Sequence, residues 1–413
     1  MEMIQLKRGL LLVMLLITAR HSDGQNFDSA TIRKHIAFLA GESLQGRAPG
    51  TSGEKKAYRY LEEQYQQWHL LPKGEKGFVQ TFSYQTTKSP HDSVASGKKY
   101  TGHNVIAFLD NGSPYTIAIG AHYDHLGNDG RGSSLEANPK GKIHHGADDN
   151  ASGTAGVLEL ARYYATNQIT EPCNFLFLNF SAEEAGLIGS KYFVNHPTLP
   201  LAQISCMINM DMIGRLNDST RKLLIYGTGT SPYFEPLLKS ISNPFQLVLD
   251  SGGVGPSDQT SFYLKQIPVM HFFTGQHSDY HKPSDVTEKI NFKGEVAVLD
   301  YIRQLIDSLS GIADLKFQAT RVKEAKSSSF KVTLGVMPDY SYSGPGLRID
   351  GVSAGKPAAN AGLLAGDIIT QIAGKPVSDI YGYMNLLASF KKGDSANVQI
   401  KRKDTLIDKQ VTF

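Results

Sequence analysis

Hydrophobic positions divide the chain into stretches of different period. Over 28–71, Ile32, Ile36 and Leu39, then Tyr58, Leu61 and Tyr65, recur at helical spacing around a Gly/Pro loop at 46–53. From about position 104, short apolar runs alternate with helix-like stretches. Strands are predicted at Asn104–Leu109, Tyr115–Ala121, Asn174–Phe180, Ile204–Met210, Leu223–Tyr226 and Pro268–Phe273. Helices are predicted at Thr154–Thr166, Leu187–Asn195, Pro232–Ile241 and Asn291–Leu309. Apolar runs alternating with helices predict an α/β fold, a mostly parallel central sheet with helices on both faces.

Residues 316–329 are polar, carry no strand pattern and read as a linker. Beyond them, β-rich pieces at Lys331–Val336, Leu347–Val352, Asp367–Ile372 and Asn397–Lys401 surround one helix near Ile380–Phe390, a small β-rich domain. At the other end, Lys7 and Arg8 precede an apolar run, Leu10–Ile17, too short for the roughly 20 residues of a membrane span. This pattern predicts a signal peptide over 1–24, cleaved after Gly24 or alternatively after Ala19, rather than a buried helix. No cysteine follows the run, so no stable membrane anchor is expected. The predicted location is periplasmic or extracellular. The expected organisation is 1–24 signal, 25–315 main domain, 316–329 linker and 330–413 small domain.

The chain's 413 residues, 40% hydrophobic and 20% charged, exclude a disordered or fibrous protein. Lys and Arg number 42 against 39 acidic residues, and they are scattered, which gives no support for nucleic-acid binding. The two cysteines, Cys173 and Cys206, each fall in an apolar run. Buried free thiols are favoured over a disulfide.

The chemistry collects at strand ends. His122-Tyr123-Asp124-His125 follows one strand, Ser181-Ala182-Glu183-Glu184 another and Asp211 a third. His277-Ser278-Asp279-Tyr280-His281 lies beyond a fourth, and Asp148-Asp149-Asn150 precedes a helix. In an open parallel sheet these segments would meet in one crevice. Two imidazoles and several carboxylates without a thiolate suit Zn²⁺ or another borderline divalent ion, and two ions sharing a carboxylate would relieve the repulsion among the acids.

Five motifs, in order, carry a resemblance: His122-x-Asp124; Gly146-Ala147-Asp148-Asp149-Asn150-Ala151-Ser152-Gly153; Ala182-Glu183-Glu184-x-Gly186-Leu187-x-Gly189-Ser190; Asn209-Met210-Asp211; and Asp279-Tyr280-His281. Over roughly 30–310 the chain resembles the M28 family of zinc aminopeptidases and carboxypeptidases. The resemblance implies two Zn²⁺ ions, one held by His122 and Asp211, the other by Glu184 and His281, with Asp149 bridging. It implies Glu183 as general base and Asp124 as acceptor of the His122 ring N–H, fixing its tautomer. A cis Asp149–Asn150 peptide is implied too. Tyr280 is placed either to steady an oxyanion or to pack, and Asp258 behind a ligand. Family members often carry histidine where Gln259 stands, so no role is assigned to Gln259.

His125, His144, His145 and His277 are expected as loop residues. His35, His69, His91, His103 and His196 are expected at the surface.

The small domain resembles a PDZ domain, with Thr333-Leu334-Gly335-Val336 as its carboxylate-binding loop and 357–369 as its most recognisable stretch. The resemblance implies binding of peptide C-termini. A module that only shields the peptidase stays open, because Pro338 cannot donate to an added strand. The implied function is an exported exopeptidase, an aminopeptidase on peptide or protein substrates. A carboxypeptidase or dipeptidase on the same fold, a mono-zinc glutaminyl-cyclase-like transferase and a catalytically silent binding protein remain as alternatives.

Overall fold

A computed structural model describes residues 27–85, 98–320, 332–338, 342, 344–352, 355–378 and 380–413. The predicted signal segment, His91 and most of the predicted linker lie outside the described residues.

Two helices come first. In α1 (Ser29–Leu39), Asp28 caps the N-terminus by accepting the Ala30 N–H at 3.1 Å, and Ile32, Ile36 and Leu39 face the core. In α2 (Ser52–Gln67), the cap is Thr51. There follow β1 (Leu71–Pro72), β2 (Val79–Gln85), β3 (Lys99–Leu109), β4 (Thr116–His122), α3 (Gly153–Thr166), β5 (Asn174–Phe180), α4 (Ile188–Asn195) and β6 (Ile204–Met210). Next come β7 (Lys222–Tyr226), α5 (Phe234–Ser240), β8 (Gln246–Leu249), α6 (Gln259–Tyr263), β9 (Val269–Phe273) and α7 (Phe292–Ser310).

The strands form one sheet in the order β1-β3-β5-β4-β6-β9-β7-β8, with β2 also paired to β3. Its centre, β5-β4-β6-β9, is parallel, whereas β3 and β7 run antiparallel to their inner neighbours, so the whole sheet is mixed. Every residue of β4, β5 and β9 is buried, as a strand covered on both faces requires. Alternation divides them between two cores. Ile117, Ile119, Phe175, Phe177, Cys206 and Ile208 pack with α1, α2, α3 and α7. Ala118, Leu176, Leu178, Phe180 and Met207 face Phe193 of α4 and Phe262 of α6. Cys173 and Cys206 are free, buried thiols. No helix among the described residues is long and apolar enough to cross a membrane.

The chain stays packed on this unit past position 315. The Gln318 N–H donates to the Thr230 carbonyl, and Thr320 hydrogen-bonds the Tyr263 hydroxyl.

The C-terminal unit comprises β10 (Val336–Pro338), β11 (Leu347–Val352), α8 (Pro357–Asn360), β12 (Ile368–Ile372), β13 (Lys375–Pro376), α9 (Ile380–Leu387), β14 (Ser395–Arg402) and β15 (Thr405–Thr412). Its antiparallel sheet runs β10-β11-β12-β14-β15 around a core of its own that includes Leu334, Ile349, Ile369, Val398 and Ile400.

Candidate metal centre

Because β4, β5 and β6 are parallel, their carboxyl ends lie along one edge, and the loops leaving them carry the acids and imidazoles. His122 ends β4, Glu183 and Glu184 follow β5, and Asp211 follows β6. Asp149 lies on the irregular turn before α3, where the Asp149–Asn150 peptide is cis. Ala182, Met212 and His281 have left-handed φ values of 58°, 55° and 55°, re-aiming the chain beside these side chains.

The imidazoles and acids converge around Asp149. The Nε2 atom of His122 lies 3.4 Å from Asp149 Oδ1 and 3.4 Å from Asp211 Oδ1. The Nε2 atom of His281 lies 3.2 Å from Asp149 Oδ2 and 3.1 Å from Glu184 Oε2. Thus each oxygen of Asp149 faces a different imidazole. His281 presents its Nδ1 to the Ser133 carbonyl at 3.0 Å, a contact that leaves Nε2 for the centre. Glu183 Oε2 stands 3.9 Å from His122 Nε2.

Asp124 lies beside His122: its carboxylate is 3.7 Å from His122 Nδ1, and its carbonyl is 3.3 Å from the same nitrogen. Asp124 Oδ1 accepts the backbone N–H of Glu183 at 3.0 Å.

The electrostatics are those of buried carboxylates and imidazoles packed together. Burial pushes Asp124 up to about 7, and burial with the charges of Glu184, Asp258 and Asp211 holds Glu183 well above the carboxylate range. Burial also pushes Glu184 up, but His281 and His125 outweigh it and hold Glu184 well below. Burial alone would depress His122 and His281; the carboxylates around them raise both instead. The donor set fits a borderline divalent cation. Ligand atoms of His122, Asp149 and Asp211 lie within 4.8 Å of one another, and so do those of His125, Asp149 and Glu184. Asp149 Oδ2 and Asp211 Oδ1 are buried without a hydrogen bond, as acceptors reserved for a cation would be.

Tyr280 stacks on the ring of His281 and lines the cleft with Met212, Pro256, Phe273 and Gln276. Asp258 is fully buried and pushed up to about 6 by burial. Gln259 accepts a hydrogen bond from Asn209 at 3.4 Å.

His125, His144 and His277 lie in loops as expected, whereas His35 and His103 depart from the surface expectation. His125 is buried with Nδ1 2.9 Å from Glu184 Oε1. His277 Nε2 contacts Asp148 Oδ2 at 3.1 Å, and His144 pairs with Ser134 in the loop that holds His281. His35, expected at the surface, is 1% exposed between Tyr60 and Glu159, because it lies on the same face of α1 as Ile32 and Ile36. His103 is covered by its contact with buried Glu54. His271 was not singled out from sequence. It lines the cleft from inside β9, receives a contact from Asn209 and is depressed to about 4 by burial. A lone imidazole within an otherwise apolar strand was its available signal.

A mixed α/β sheet thus carries a carboxylate–imidazole cluster along its carboxyl edge. Solved structures share the fold. The chain superposes on a zinc aminopeptidase from Bacillus subtilis with a TM-score of 0.53 at 17% identity, covering 71% of this chain and 98% of that one. For the glutaminyl cyclase of Bacteroides thetaiotaomicron the TM-score is 0.55 at 19% identity, covering 68% and 98%. Residues 104–306 match the model of peptidase family M28, and residues 320–412 match that of the PDZ domain. The chain carries an M28 peptidase domain followed by a PDZ domain. Among its relatives is the leupeptin-inactivating enzyme 1 of Streptomyces exfoliatus, 29% identical over 293 residues, or 69% of this chain and 58% of that protein. The chain spans about half the length of the curated relatives it matches.

Proposed function

We propose that this chain is an exported aminopeptidase working with two zinc ions. In this reading His122, Asp149 and Asp211 hold one ion, and Asp149, Glu184 and His281 hold the other. The observation that carries it is Asp149, with one oxygen toward His122 and the other toward His281.

Zinc bound there would polarise the scissile carbonyl and acidify water at neutral pH. Glu183 takes the proton of the attacking water and returns it to the leaving amine. Its backbone is pinned by Asp124, which fixes where the base stands. Met212, Pro256, Phe273 and Tyr280 offer an apolar wall to the side chain of the residue released. The leucine aminopeptidase and aminopeptidase names among the chain's relatives support cleavage at the amino end. In the PDZ unit, the 333–336 loop supports capture of a peptide C-terminus, Gly335 supplying a φ of 71°.

The glutaminyl-cyclase fold is equally similar, so the ligand set rather than the fold favours hydrolysis. The test is aminoacyl-nitroanilide hydrolysis with metal analysis. Two zinc equivalents and chelator-sensitive hydrolysis are expected. One equivalent, with cyclisation of N-terminal glutamine and no hydrolysis, would overturn the reading. A positional peptide library separates aminopeptidase from carboxypeptidase and dipeptidase action.

A further inference from the structure

Arg47 lies outside the span matched to the peptidase family, yet its side chain ends directly behind the centre. It is 0% exposed, and all five of its N–H groups are spent on backbone carbonyls. Nε donates to Tyr123 at 2.5 Å. Nη1 donates to His145 at 2.5 Å and Leu39 at 3.2 Å, and Nη2 to Gly146 at 2.7 Å and Asp149 at 3.3 Å. Four of these carbonyls belong to the two loops that present His122 and Asp149, and the fifth, that of Leu39, ends α1. No carboxylate takes a hydrogen bond from the guanidinium, although burying an unpaired cation is costly.

The backbone there is unusual too. Gln45, Gly46 and Arg47 have φ values of 50°, 68° and 38°, three left-handed residues in succession, two of them not glycine. A Cβ on Gly46 would stand 2.5 Å from the His144 carbonyl, so the segment is wedged against the same loop. Such a conformation persists only where the surroundings impose it. What offsets the buried charge is the acid cluster: burial lowers the pKa of Arg47 to about 10, while Asp149, Asp124, Asp285 and Glu184 oppose that shift. A guanidinium is not deprotonated in proteins, so Arg47 remains a cation there.

We propose that Arg47 is a positioning residue of the metal centre, fixing the loop that turns one oxygen of Asp149 toward each imidazole and setting a permanent positive charge behind the carboxylates. This role rests on the two-ion reading above. A lysine keeps the charge but has three donors on one nitrogen and cannot bridge both loops.

The test uses the full chain with Arg47→Lys and Arg47→Met. Folding is followed by near-UV circular dichroism without metal, and zinc affinity by competition with a chelator. Arg47→Lys should keep its dichroism while losing about 10–100-fold in affinity for one ion, with kcat falling and KM nearly constant. Arg47→Met should lose more. Folded variants with unchanged zinc affinity and kcat would overturn the proposal. Should neither variant fold, the unsubstituted chain decides: its slowly exchanging Arg47 Nε–H resonance should move on zinc titration, and a resonance indifferent to zinc would overturn it. Two zinc ions bound without hydrolysis would strike the proposed function and leave Arg47's role standing.

Discussion

Asp124 and Glu183 are joined by a single hydrogen bond, from the backbone N–H of Glu183 to Asp124 Oδ1 at 3.0 Å. Asp124 therefore holds the backbone of the proposed base while lying beside the ring of His122. Asp124→Ala should lower kcat about 10–100-fold with zinc content unchanged, while Asp124→Asn, whose amide oxygen still accepts, should retain most activity. Steady-state kinetics beside metal analysis check this.

Glu183 is the base in this reading, and Glu183→Gln removes the proton acceptor while preserving shape. We expect kcat to fall about 10²–10⁴-fold with two zinc ions still bound. Unchanged hydrolysis by the variant would sink the assignment.

His125 touches Glu184 on the side opposite His281. His125→Leu leaves that carboxylate free to rotate. The expected result is about 10–100-fold weaker retention of one zinc, measured by equilibrium dialysis, with the metal-free fold intact by circular dichroism.

Asp279 anchors the loop that carries His281. Burial pushes its carboxyl up, but the bonds from Lys289 and Ser284 and the charges of Lys289 and Arg215 prevail and hold it at about 2. The unfolded value is about 3.9. A depressed carboxyl stabilises fully above the unfolded pKa and loses that contribution as pH falls through the folded one. Stability of the metal-free chain should therefore drop between about pH 4 and pH 2 more steeply than that of Asp279→Asn. The two should converge near pH 2, as thermal melts would record.

The elements legible in sequence were those whose composition met one demand. Asn174–Phe180 and Ile204–Met210 are found at the predicted residues because strands covered on both faces must be continuously apolar. β2, β8 and β15 were not anticipated: in β2 and β15 polar residues on the exposed side interrupt the signal, and β8 is only four residues long. The same limit governed single residues. His35 read as a surface histidine because its partner Glu159 is remote in the chain, and the bond exists only once α1 and α3 pack together.

By itself, the sequence determined that imidazoles and carboxylates gather at strand ends and before one helix, and the resemblance to family M28 singled out His122, Asp149, Glu184, Asp211 and His281 among them. Tertiary structure alone decided how they are held. Arg47 binds carbonyl oxygens, which every residue carries and no side-chain pattern can mark. Asp124 found a backbone N–H, and His125 a carboxylate from another loop. Such contacts depend on where folding places the backbone in space, and a linear string of side chains does not encode that locally.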